Sequence, residues 1–181
     1  MAWRSRIFHS NPWTGAVTLC LLGVLCLAVS CKISYGFTGA SIDYTKTKTI
    51  QIDNFPIRSA YVWAPMQSIF QNRLTDIFAQ QTKLQQVKRG GDLILSGEIT
   101  GFDQYNKGIS SDGYSSQVQL KMTVNVRFTN TQKPSEDFER QFSATAEYDA
   151  TQQLVAVQEE LVTQMVKDIT DQIFNATVAN R

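Results

Sequence analysis

Residues 117–128 alternate almost without fault. Val118, Leu120, Met122, Val124, Val126 and Phe128 are apolar, while Gln119, Lys121, Thr123, Asn125 and Arg127 between them are polar. Strand side chains point to opposite faces with a period of two, so this pattern predicts a strand buried on one side. Phe138, Arg140, Phe142, Ala144, Ala146 and Tyr148 alternate with Glu139, Gln141, Ser143, Thr145 and Glu147, predicting another. Residues 92–105 (DLILSGEITGFDQY) predict a long strand, with Leu93, Leu95, Gly97, Ile99 and Gly101 on one face and Phe102 on the other. The same-face glycines leave room for close packing, expected from a helix. Residues 48–55 (KTIQIDNF) alternate more briefly, with Ile50 and Ile52 on one side, and Pro56 ends that strand because it cannot donate to a ladder. The polar segments 106–115 and 129–137 read as turns.

Two stretches follow the helical period instead. Met66, Ile69, Phe70, Leu74, Ile77, Phe78 and Leu84 fall at three- and four-residue steps, which predicts a helix over residues 65–87. Pro65 suits its first position, and Lys88, Arg89, Gly90 and Gly91 read as its C-terminal stop. Leu154, Val157, Leu161, Met165, Ile169 and Ile173 predict a second helix from Asp149 to about Asn175, with Asp149 and Gln152 spaced as a capping box. The tail 176–181 reads as frayed. Tyr61 and Trp63, in the connector before the first helix, fit either a contact patch or packing under a helix.

The order is thus strand, helix, strand, strand, strand, helix. A sheet with one apolar face must bury it, so the expected fold is an α+β two-layer sandwich. Two helices cover one face of a four-stranded, mostly antiparallel sheet. The strand order is open. The other sheet face is polar, either solvated or turned to a partner.

The N-terminus adds a different signal. Residues 16–29 form an apolar run preceded by Arg4 and Arg6 and closed by Ser30 and Cys31. This resembles a secretory signal, and the run is short for a membrane span, which needs about 18 apolar residues. Small residues ahead of Cys31 resemble a bacterial lipobox, although Ala28 stands where leucine is usual. The implied organisation is a signal peptide over 1–30, a lipidated N-terminus and tether over 31–45, and one α+β domain over 46–181. Cys20 and Cys26 leave with the leader, so one cysteine remains and no internal disulfide forms.

Removing that leader leaves 151 residues with a net charge of −1, which argues against nucleic acid as a bulk electrostatic partner. The single histidine, His9, is lost too, and with it any Ser-His-Asp triad, Cys-His pair or His-ligated zinc. A hydrolase would have to work with carboxylates such as Glu98, Asp103 and Asp112, and no paired-acid pattern supports one.

At the junction of the first helix and the long strand, QQTKLQQV (residues 80–87) is followed by GDLILSGEITGF (91–102). With the lipobox, the alternating strands and the closing helix, this resembles the LptE-type lipopolysaccharide-assembly lipoproteins in the form found in Bacteroidota. The resemblance spans nearly all of 31–175 and implies a non-enzymatic outer-membrane lipoprotein without cofactor, facing the periplasm. It would carry acyl chains on Cys31, plug and help assemble an LptD-type β-barrel, and help deliver lipopolysaccharide to the outer leaflet. Lys32 after the cysteine agrees with outer-membrane sorting. The candidate lipid A phosphate contacts are Lys88 with Arg89 and Lys121 with Arg127, although solvated or helix-capping charge is the more ordinary reading of each pair. Another outer-membrane adaptor, such as an activator of a peptidoglycan synthase, remains an alternative.

Overall fold

The computed structural model describes residues 42–107 and 117–179. The strands are β1 (Thr49–Ile52), β2 (Gln85–Val87), β3 (Leu93–Lys107), β4 (Gln117–Asn130) and β5 (Phe138–Asp149), and the helices are α1 (Ala64–Gln81) and α2 (Leu154–Phe174). Cys31 and most of the tether and the 106–115 turn lie outside the described residues.

The sheet has five strands in the order β2-β1-β3-β4-β5. β1 runs parallel to both β2 and β3, while β3–β4 and β4–β5 are antiparallel. The expected α+β architecture with two helices holds, but the four-stranded sheet does not. The extra strand lies inside the stretch read as the end of the first helix. Thr82 stops α1, its extended backbone sending N–H to the Phe78 carbonyl while its Oγ1 donates to the same oxygen at 2.7 Å. Such local bonding by a β-branched hydroxyl residue competes with helix continuation. The freed segment pairs with β1, Gln85 donating to the Lys48 carbonyl at 2.9 Å. Three residues are too few to show a period, and Leu84 is buried whether it belongs to the helix or not.

The apolar rows meet as the pattern requires. Phe70, Leu74 and Phe78 of α1 and Val162, Met165, Ile169 and Ile173 of α2 are buried against Leu95, Ile99, Leu120, Met122, Val124, Val126 and Phe128 of the sheet. Phe78 and Phe174 meet edge to face at 5.3 Å, joining the helices, and Arg73 reaches Asp171 at 3.4 Å beside them.

Four further expectations need correction. A register shift between Ile99 and Gly101 inserts one extra residue, so Phe102 rather than Gly101 returns to the core. Phe55, not a helix, fills the space over Gly97. A Cβ there would lie 2.6 Å from the Phe55 ring and 2.1 Å from the Asn125 carbonyl oxygen. Asp149 ends β5 instead of capping α2, because its Oδ1 is taken by the backbone N–H and hydroxyl of Thr151, and the helix starts at Leu154. The tail is not frayed over its first residues. A wide turn over Asn175–Ala179 buries Thr177 and Val178, with Thr177 Oγ1 donating to the Ile173 carbonyl.

The start of the sheet is tied together by Asp92. Its Oδ2 accepts from the N–H groups of Lys48 and Thr49 and from Thr49 Oγ1, while its carbonyl accepts from Thr131. These bonds, led by that from Lys48, hold its carboxyl below its ordinary pKa.

Candidate functional site

The outer sheet face follows directly from the polar half of each alternation. Cross-strand neighbours on one face stand close enough to pair, and here they do. Arg127 donates through Nε (3.1 Å) and Nη2 (2.8 Å) to Glu139 Oε2, and Asn125 donates to the other carboxylate oxygen at 2.9 Å. These bonds, the Arg127 contact first, hold Glu139 below the usual carboxylate range. Four rows away, Lys107 bonds Glu147, which Gln119 also approaches at 3.3 Å, and Glu147 is lowered mainly by Lys107. Between the two pairs lies Lys121, opposite Asp103 on one side and Thr145 on the other, with no ion pair among the described residues. Tyr105, half exposed, stands beside Gln119 on this face.

The four candidate cations therefore do not converge. Lys88 and Arg89 are exposed just after β2, the edge strand on the far side of the sheet, where Gly90 turns the chain with φ 72°. That is a strand end, not the helix C-terminus expected for them. β1 and β3 separate this corner from Lys121 and Arg127 on β4. Arg127 is committed to Glu139. Glu98 and Asp103 are not brought together either, since they face Asn125 and Lys121, four positions apart on β4. Among the described residues no group of His, Cys, Asp and Glu could hold a metal ion, and no helix is long and apolar enough to cross a membrane.

Sequence reasoning did not anticipate two clefts among the described residues. A cavity of about 310 Å³ opens where the described chain begins, with Ile42, Leu93, Phe128 and Val178 in its walls. Its charges are balanced, since Asp43 faces Lys46 at 3.9 Å and Lys133 bonds Glu136 at 2.8 Å. An open cleft of about 710 Å³ runs between β5 and the end of α2. Each draws its walls from segments far apart in sequence, so no local motif announces it. Tyr61 packs on the sheet and the second helix: it stacks on Phe102 at 5.3 Å and its hydroxyl donates to Gln158 of α2, with 37% of its surface exposed. Trp63 is half-buried.

Fold and surface together define a small α+β scaffold with a polar, ion-paired outer sheet face. A hypothetical protein of Chlamydia trachomatis shares the architecture, at 9% identity over 74% of this chain and 99% of that one, with a TM-score of 0.50. Two more distant likenesses are the rare lipoprotein B from Shewanella oneidensis and a minor lipoprotein from Acinetobacter baumannii. The first has 13% identity, covers 71% of this chain and 92% of that one, and has a TM-score of 0.48. The second has 13% identity, covers 70% and 89%, and has a TM-score of 0.47. No curated protein matches the sequence. Residues 47–177 match the LptE family, described as lipopolysaccharide-assembly. The match runs from two residues before β1 into the turn after α2. The chain belongs to that family, whose members are non-enzymatic lipoproteins.

Proposed function

We propose that this chain is anchored by acyl chains on Cys31 after removal of residues 1–30, with 31–45 as tether. The domain faces the periplasm at the outer membrane. There it plugs and helps assemble an LptD-type β-barrel that delivers lipopolysaccharide to the outer leaflet. The observation that carries this reading is the family match over residues 47–177. The outer sheet face adds physical support. A barrel lumen is polar, and the outer face, with Arg127 paired to Glu139 and Lys107 to Glu147, offers a polar surface on which most of the cations are already ion-paired. Two or more acyl chains hold a protein at a membrane where one does so only marginally, so anchoring needs no spanning helix. For lipopolysaccharide phosphates, Lys88, Arg89 and Lys121 are the proposed contacts, because Arg127 already serves Glu139.

The test is affinity purification of the full-length chain from its native outer membrane in mild detergent, with partners identified by mass spectrometry. A stoichiometric large β-barrel protein is the expected result. Recovery of a peptidoglycan synthase, or of no partner, rejects the transport reading.

A further inference from the structure

The two edges of the sheet are unlike. β2 is three residues long and is followed at once by a turn, so it offers almost no ladder. β5 is twelve residues long, about 40 Å at strand rise, contains no proline, and has no strand beyond it among the described residues. An edge of this length presents a row of unpaired backbone groups, which natural proteins ordinarily shorten, cover or disrupt.

The open cleft lies directly beneath this edge on its core-facing side. Phe138, Arg140 and Phe142 of β5, with Ser135 and Glu136 before them, form one wall, and Gln172 of α2 with Asn175 and Ala176 just after it form the other. Gln172 Nε2 donates to the Ser143 carbonyl at 3.2 Å, tying the walls together. Arg140 occupies the core-facing row, opposite the fully buried Val126, yet is itself exposed. Its guanidinium stands 5.3 Å from the Phe138 ring centre and makes no ion pair among the described residues. The cleft thus joins the apolar Phe138, Phe142 and Ala176 to polar rims, with Arg140 exposed beside a long ladder whose Ser143 carbonyl is already taken by Gln172.

We infer that the β5 edge is a strand-addition site for an extended segment of another polypeptide. That segment carries alternate apolar side chains, with a carboxylate among them that meets Arg140. In this mode backbone hydrogen bonds to the edge supply affinity, and pockets for every second side chain supply specificity. The apolar row of the added strand enters the cleft over Phe142 and Ala176, while its other row continues the polar outer face. The inference is independent of acylation at Cys31 and of the barrel assignment.

The test uses the full-length chain in mild detergent and a fluorescent ten-residue peptide. The peptide alternates valine with threonine and carries one central glutamate in the valine row. Fluorescence anisotropy is expected to show saturable binding that weakens at least tenfold when the glutamate becomes lysine, or when alternate peptide amides are N-methylated. Arg140→Glu should reverse the glutamate-over-lysine preference, and Arg140→Lys should keep it. Equal affinity for both peptides in the wild type and in these variants overturns the proposal, as does indifference to N-methylation. Binding that appears only after deletion of residues 1–41 assigns the edge to the chain's own N-terminal segment and also overturns it. So does a dimer that buries β5 against a second copy.

Discussion

Gly97 and Gly101 look equivalent in sequence, two alternations apart on one strand, but the bulge between them makes them opposites. Alanine at 97 would place its Cβ 2.1 Å from the Asn125 carbonyl oxygen and 2.6 Å from the Phe55 ring. The first obstacle is backbone in the β3–β4 ladder, so the strands must separate or twist to admit the methyl. Overpacking a close-packed interior costs about 1–3 kcal/mol and occasionally more, and the backbone contact puts Gly97→Ala at about 3 kcal/mol. For a domain of this size that is a fall of roughly 6–12 °C in Tm. Alanine at 101 would meet only side chains, Asp103 Oδ2 and Thr123 Cβ, both at 3.2 Å. These can shift, and replacing a strand glycine recovers about 0.5–1 kcal/mol of backbone entropy, so Gly101→Ala should stay within about 1 kcal/mol of wild type. Thermal and urea unfolding of a chain beginning at Lys32, followed by circular dichroism, measures both. Phe55→Leu added to Gly97→Ala should recover only part of the loss, because the nearer clash remains. Equal cost at the two glycines, or full rescue by Phe55→Leu, would refute the assignment of the bulge and of the backbone clash.

Asp92→Ala strands the Lys48 and Thr49 N–H groups and should cost about 2 kcal/mol at neutral pH. Because the folded carboxyl titrates below its ordinary value near 3.8, its contribution is complete above about pH 4 and is lost as pH falls through the folded value. The gap between wild type and variant should therefore close in acid urea titrations, and a gap that widens there would contradict the hub. Deleting residues 176–181 exposes the pocket that Val178 fills and should cost about 2 kcal/mol in the same unfolding assay. Cys31→Ala should release the protein from membrane fractions on carbonate washing while leaving the domain's melting temperature unchanged. Alanine at Lys88 and Arg89, both exposed, should alter stability by less than about 0.5 kcal/mol, so reduced lipopolysaccharide cross-linking there reports contact directly.

What the chain revealed of itself follows the length of each signal. β4 and β5 carry five or more alternations. Their inward rows are buried, apart from the exposed Arg140 and the half-buried Phe138 and Tyr148 at the ends of β5, because a single buried face leaves the register no freedom. α2 was legible from Leu161 onward for the same reason. β2 was hidden because three residues carry no period and borrow their stability from β1, a partner 36 residues earlier. The bulge was hidden because Thr100 is neither glycine nor proline and only the pairing of β3 with β4 requires it. The candidate cations were visible as residue types, but their separation across the sheet depends on strand order, which alternation does not encode. Both clefts are meeting places of distant segments and have no local trace. By contrast, the helix–glycine–strand junction at 80–102, where family resemblance was strongest, lies within the matched span.

β1 sits between β2 and β3, although those two strands are joined to each other by only five residues. The polypeptide leading into β1 is therefore gripped on both sides by parallel ladders, and Asp92 clamps its first residues. A pull transmitted along that segment acts along the strand axis and loads both ladders in shear, so the bonds bear the force together instead of opening one by one. A strand at the sheet's margin would peel away. Whatever holds the N-terminal side of this chain thus pulls on the interior of the sheet, and the domain resists as a unit.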